Sequence, residues 1–448
     1  MSLEQTQELM NKVISFAKDS GADADVIFSR GESFSLKSQS RKLSEYKVAN
    51  SQALGVRTIK NGKVGVSYTE SLDNEALKEM VKQAIESSVY TKDNPDQLID
   101  SSTSGETHIK DAEANVEDKT SAEEKIEIAL ALEAKALDAD KRAKSSPYNG
   151  ISSSSGEKYY LNSYGRFCSK QSRSHQAIAS VLLDDGSNQA MFYDWDQKRS
   201  FVDLDIDNIV NRTVTYASDL MDASAIATGK YDVIFEIDQL KSIFGCFSGT
   251  YGAKGVILKT NPWRDKLNEI VMDERLSLFD LPQYEKAFSK SYFDMEGNLK
   301  SDLTLVENGK LQSFLHNSET AKTLGMQNNF RAARGTKSPL GIGGSTKLFK
   351  TSDANEADLQ TGRYILVTGM DGLHSGANAS SGNFSFGLSA YLFEDGQKVQ
   401  TVKGVTLSGN FYEMLNNVTA IGSELQSTRE GNFFSPALRF SGLDIAGK

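Results

Sequence analysis

Four histidines and two cysteines are the whole stock of soft metal ligands in this chain of 448 residues. One of them, His374, lies in GLHSGANASSGNFSFG (372–387), a run of Gly, Ser and Asn without carboxylates or lysines. Such a run could hold a metal, cradle a phosphate, present a serine nucleophile or form an ordered turn. A nucleophile paired from His374 and Ser375 is disfavoured, because adjacent side chains on an extended chain point opposite ways. The G-x-S-x-G elbow that exposes a serine between strand and helix is also missing. Asn378, Ser381 and Asn383 instead suit side-chain-closed turns, and the glycines allow positive φ or close backbone approach. The run therefore reads as a turn array. His374, Ser375, Asn378, Ser381 and Asn383 are its candidate substrate-binding or interface residues, since exposed backbone groups beside glycine can pair with an extended peptide.

A zinc peptidase needs three protein ligands, an open position for water and a carboxylate to take the water's proton. Two histidines one helical turn apart would supply that from one face, as in H-E-x-x-H, and no such pair occurs. His108 falls in a polar stretch and His175 in the strand-like RSHQAIAS. His316 and His374 share the second half of the chain and could meet with Glu319 or Asp371, which keeps a divergent metal site as an alternative. No D-x-D-x-D-G calcium loop is present. Cys168 and Cys246 are too few and too distant for a disulfide framework or a CxxC site and read as small buried apolar residues. No catalytic residue and no metal ligand is assigned. The segment RAARGTKSPLGIGGST (331–346) lacks the G-K-[ST] ending of a P-loop. It reads as a flexible basic loop lining a peptide channel, with Arg331 and Arg334 as candidate substrate or interface residues.

The elements that must position these residues are legible in outline. Leu9, Met10, Val13, Ile14 and Ala17 share one helical face, and Ser20-Gly21 ends that helix. DVIFSR, SFSLKS and LSEYKV read as successive strands, and Asn61-Gly62 as a hairpin turn. Leu77, Met80, Val81, Ala84 and Ile85 predict a second helix. Residues 91–120 are polar and aperiodic and read as a surface loop or linker. Ser121 and Glu124 form a capping box opening a third helix, and long strands follow with turns at Tyr164-Gly165 and Asp185-Gly186. A helix over DNIVNRTVTYASDLMDASA closes this half. The second half shows short β runs and a helix near 237–247. The expected fold is α+β in two domains, an N-terminal helix and antiparallel-sheet domain (1–225) and a mostly β domain (226–448). The net charge of −10 argues against a nucleic-acid partner. No apolar run approaches the length of a membrane span, and the acidic start is unlike a signal peptide, so a cytoplasmic location is expected.

The chain resembles the PmbA/TldD family, and within it the PmbA (TldE) branch. The likeness rests on SRGESFSLKSQSRKLSEYKVANSQALGVRTIKNGKVGVSYT, LNSYGRF, TGKYDVIFE, DMEGNLKSDLTLVENGKLQSFLHNSETAKTLG, GLHSGANASSGNFSFG and SPALRFSGLDIAG, in that order. It implies a mostly β second domain equivalent to the family's metallopeptidase domain, and a role as partner subunit of a heterodimeric zinc peptidase acting on unfolded or small peptides. In the catalytic branch an H-E-x-x-x-H or H-E-x-x-x-D helix and a later cysteine hold the zinc. The matching segment here, DQLKSIFGCFSGTYGAKG (238–255), has no histidine, and no cysteine follows Met370. The resemblance thus implies no cofactor in this chain, with zinc and the catalytic glutamate on a TldD-like partner. Two alternatives remain: a regulatory protein acting on DNA gyrase or toxin–antitoxin partners without proteolysis, and a homodimeric peptidase with a divergent site.

Overall fold

The computed structural model describes residues 1–102, 104–109 and 118–448. The first helix, Leu3–Asp19, starts in a Ser2/Gln5 capping box and buries Leu9, Met10, Val13, Ile14 and Ala17, as their spacing predicts. The second, Asn74–Ser88, buries Leu77, Met80, Val81 and Ala84. Both lie on an eight-stranded sheet with the order 63–69, 42–60, 23–39, 150–162, 167–184, 106–109, beside which 143–145 and 189–198 pair with 167–184. Helices Ala122–Asp138, opened by the Ser121/Glu124 capping box, and Ile206–Met221 complete the layer.

Two expectations are corrected. The separate short strands are two long ones, Asp23–Gln39 and Lys42–Lys60, paired almost throughout. Polar residues do not interrupt them because each strand pairs with the other, and strand 150–162 also pairs with Asp23–Gln39 on its far side. Within the polar stretch 91–120, Glu106–Ile109 is a strand, pairing in parallel with Phe167–Lys170. The part of that stretch at 103 and 110–117 lies outside the described residues.

The second sheet is ten-stranded and built from residues 229–446. Strand Phe433–Ala446 pairs both with Gln397–Asn410 and with Gly229–Phe235, so five strands close into a barrel around the largest apolar cluster. The architecture is α+β, with a mostly β second half. No helix among the described residues is long and apolar enough to cross a membrane.

Side chains alternate across a strand, so the first sheet has two different faces. Ala24, Val26 and Phe28 meet the helices, whereas Asp25 and Ile27 meet the second domain. Ile27, Tyr160 and Cys168 pack against Phe293 and Met295, which belong to the segment YFDMEGNLK. Beside this contact Asp25 is fully buried and faces Arg57 directly across the strands. Arg57 donates both Nε (2.9 Å) and Nη2 to one Asp25 oxygen, and Arg334 of the second domain donates Nη1 to the other at 2.6 Å. Arg334 also reaches the Gly55 carbonyl, and a side chain at position 55 would overlap the Thr336 backbone. Gly55 is thus what lets the two domains touch there.

Glu296, one turn residue away, is buried and accepts from the backbone N–H (3.0 Å) and hydroxyl of Ser318. Burial drives its carboxyl up, Arg57 pulls it back, and it is left pushed up to about 7.

Removing the charge of Asp25 leaves the buried Arg334 guanidinium without a carboxylate and Arg57 with only Glu296 nearby. D25N is therefore expected to cost about 3–5 kcal/mol, and R334M less, because Arg57 still neutralises Asp25. Denaturant titration checks both, and an unchanged midpoint in D25N would refute the role given to this carboxylate. For Glu296 the folded value lies above the ordinary glutamate value of about 4.3. Its contribution to stability is therefore full below about pH 4.3 and is lost as pH rises towards about 7. E296Q is expected to flatten that slope and to gain on the wild type at pH 8 relative to pH 5, as measured by thermal unfolding at both pH values.

Candidate functional site

The segment that resembles the family's metal-binding region folds as helix Ile237–Cys246, the turn Ser248–Tyr251 and the short helix Ala253–Ile257. Leu240, Ile243 and Phe244 bury one side of the first helix. The turn is pinned from three directions. Asn261 donates its amide to the Thr250 carbonyl at 2.8 Å. Leu315 N–H donates to the Tyr251 carbonyl, and Ala253 N–H to the Leu315 carbonyl. Beneath it Phe247 stacks on Phe411 with centroids 4.2 Å apart, and Trp263 lies between Tyr251 and Tyr412.

Two cavities of about 220 and 530 Å³ flank this turn and share Ser248, Tyr251, Gly344 and Lys347. Together they form a groove with Lys241 and Phe244 at one end and Ala379 and Ser380 at the other. Behind its lining residues Ser345 and Lys347 lies Asp280, fully buried, which accepts from Arg331 Nε (2.7 Å), Ser345 N–H (2.6 Å) and Lys347 Nζ. Burial would raise this carboxyl, but Lys347 and Arg331 outweigh it and hold the group below the usual aspartate range.

The glycine-rich run contributes its tip. Tyr412 donates its hydroxyl to the Ala379 carbonyl at 2.6 Å, tying the run to the aromatic cluster. Asn378 closes the turn by accepting the N–H groups of Ser380 and Ser381, and Asn410 donates to the Ser381 carbonyl and to Asn383. His374, Ser375, Asn378, Ser381 and Asn383 are exposed, but Ala379 and Ser380 form the groove wall. Asn378, Ser381 and Asn383 therefore serve the turn that presents that wall.

Arg331 and Arg334 require a correction. They are not side chains of a flexible basic loop: both are buried, Arg331 on Asp280 and Arg334 on Asp25. Between them Ala332–Ala333 pairs with Gly341–Ile342. The stretch does border the groove, through Ile342, Gly343 and Gly344.

The remaining histidines are occupied or shut away. His175 is buried against the Ser153 hydroxyl. His108 contacts Ser169 and Glu106 and lies edge-on to Phe167, so it is more engaged than a solvated linker residue. His316 is buried with its Nε2 lacking a hydrogen-bond partner, and burial drives its imidazole down to about 4. Glu319, its proposed companion, is held by Lys254 (2.9 Å), Asn94 and Gln97. Among the described residues no three His, Cys, Asp or Glu side chains are grouped to hold a metal ion. Within this one chain, then, His316, His374 and Glu319 or Asp371 are not grouped as a metal-binding set. The groove itself is lined by Lys241, Tyr251 and Lys347 and, among the described residues, by no His, Cys, Asp or Glu. Two ammonium groups and a phenol oppose a dication, so zinc does not fit here. Lys241, Tyr251 and Lys347, with Asp280 behind them, are the residues that the sequence reading missed. Only the lack of histidine around Lys241 and Tyr251 hinted at them.

The run's glycines allow a graded test. Gly372 and Gly382 both have φ near +83°, but only at Gly382 would a side chain overlap the Tyr412 ring. G372A is expected to cost about 1–2 kcal/mol from the left-handed backbone alone. G382A should cost clearly more, read by denaturant titration of both variants. Equal losses would mean that the contact with Tyr412 does not hold the run.

Three domains described as PmbA/TldA metallopeptidase match the sequence: domain 1 over residues 24–88, the central domain over 116–221 and the C-terminal domain over 228–447. The Metalloprotease PmbA homolog of Haemophilus influenzae is 26% identical across 98% of this chain and 97% of its own. Metalloprotease PmbA of Escherichia coli O157:H7 is 22% identical across 97% and 96%. The crystal structure of TldE from Thermococcus kodakarensis has a TM-score of 0.83, covering 98% of this chain and 100% of that one at 21% identity, a likeness of fold. With all three domains matched in order along its length, the chain belongs to the PmbA/TldD metallopeptidase family.

Proposed function

We propose that this chain is the TldE-like subunit of a cytoplasmic heterodimeric peptidase, with the zinc and the catalytic glutamate carried by a TldD-like partner. The observation that carries this reading is the groove around Tyr251. It lies along the segment that resembles the family's metal-binding region, yet Lys241, Tyr251 and Lys347 line it where ligands would stand. A groove of this kind suits binding more than hydrolysis. Its wall at 343–344 carries no side chains, which lets an extended chain come close to the backbone there. Asp280 is shared between Arg331 and Lys347, so that cluster keeps a net positive charge, which favours a peptide with acidic character. The chain would thereby hold and align an unfolded peptide, and the partner would cut it.

Elemental mass spectrometry of the chain purified without a metal-binding tag is expected to find close to no zinc. Mixing it with a zinc-loaded TldD-like protein is expected to produce cleavage of an unfolded peptide that a chelator abolishes and that neither protein shows alone. One zinc per chain, or cleavage by this chain alone, would overturn the reading.

A further inference from the structure

The sheet face turned towards the second domain changes character along its strands. Ile27, Tyr160 and Cys168 lie under Phe293 and Met295. Two residues further along the same face come Ser29, Lys158 and Lys170, directly opposite one another across three strands. Lys300, just beyond the DMEGN turn, approaches from the second domain, is buried, and donates Nζ to Ser345 Oγ at 3.2 Å. Three ammonium groups therefore gather at the domain junction.

Among the described residues no carboxylate forms an ion pair with any of the three. Burial lowers Lys158, and no carboxylate among the described residues acts on it. Lys170 is pushed down to about 8, first by burial and then by Lys158 and Lys300. Lys300 is also lowered to about 8 by burial, against a partial pull from Asp280 and Asp294. Lys170 opens on a cleft of about 350 Å³ whose other wall, from the second domain, carries Lys290, Tyr292 and Asn432. Glu430, the one carboxylate among the described residues of that wall, is taken by Lys241 and Asn432. Like charges gathered in a poorly hydrated junction repel one another and pay for lost hydration unless an anion joins them. The apolar surfaces of Ile109, Phe288 and Tyr292 in the same cleft suit an anion attached to an organic chain.

We propose that this cleft is a carboxylate-binding site that takes the C-terminal carboxylate of a bound peptide, with Lys170, which lines it, as its cationic ligand and with Lys158 and Lys300, which stand next to Lys170 outside the cleft lining, adding to the positive charge there. The inference rests on the peptide-holding role proposed above and adds an end-recognition element to it. It makes the subunit selective for peptides whose C-terminus is free.

The test uses the intact chain and an unstructured ten-residue peptide, fluorescently labelled at its N-terminus, as free acid and as C-terminal amide. Fluorescence anisotropy at pH 7 is expected to show the acid binding about tenfold more tightly, the scale of one charge-assisted hydrogen bond. K170M should bring the acid down to the amide's affinity and leave the amide unchanged, which also shows that the variant is folded. K158M should act in the same direction. Equal binding of acid and amide by the wild type, retention of the difference in K170M, or binding of neither form overturns the proposal. If one of these occurs while the reconstituted pair still cleaves peptide, the end-recognition site alone is lost. If acid and amide are distinguished but no cleavage is reconstituted, the heterodimer reading falls and the carboxylate site stands.

Discussion

One buried carboxylate joins the two halves of this molecule. Asp25 projects from the first sheet between Arg57, its cross-strand neighbour, and Arg334, which arrives from the other domain. A lone carboxylate at that depth would be too costly to keep charged, and a lone guanidinium equally so. Each side of the junction is therefore incomplete without the other, which fixes how the domains meet. Gly55 leaves the space for that approach, and the DMEGN turn supplies the apolar contact beside it.

The same constraint extends to the groove. Arg334 and Arg331 stand three residues apart on one segment, and each is anchored on a different buried aspartate, Asp25 and Asp280. Asp280 in turn fixes Ser345 and Lys347. The glycines of 343–344, which wall the groove, are therefore held between two ion-paired anchors and are not free to drift. A basic, glycine-rich sequence becomes a rigid wall because its charges point inward. The lysines at the domain junction are the contrasting case: no carboxylate among the described residues pairs with them, and the site proposed beside Lys170 rests on that imbalance.

Much of the local architecture was legible because its signals act over a few residues. The Ser121/Glu124 capping box, the apolar stripe of the first helix and the Asn61-Gly62 turn each involve neighbours along the chain, and each is found as read. The glycine-rich run also behaves as the turn array its composition suggests. The strand at Glu106–Ile109 escaped notice because its only support is pairing with Phe167–Lys170, some sixty residues on. The short strands read around residues 31 and 50 were broken at polar residues that sheet pairing overrides, on both sides of residue 31 and on one side of residue 50.

The sequence by itself determined the α+β class, the caps and turns, the family resemblance and the missing histidines of the metal-binding region, all of them matters of residue identity and short-range spacing. Only the tertiary structure decided where the charges go. Arg331 finds Asp280 across 51 positions and Arg334 finds Asp25 across 309, distances over which residue spacing carries no information. Whether an arginine faces solvent or neutralises a buried carboxylate depends on the partner that folding brings to it, because the cost of burying a charge is met only in the assembled junction.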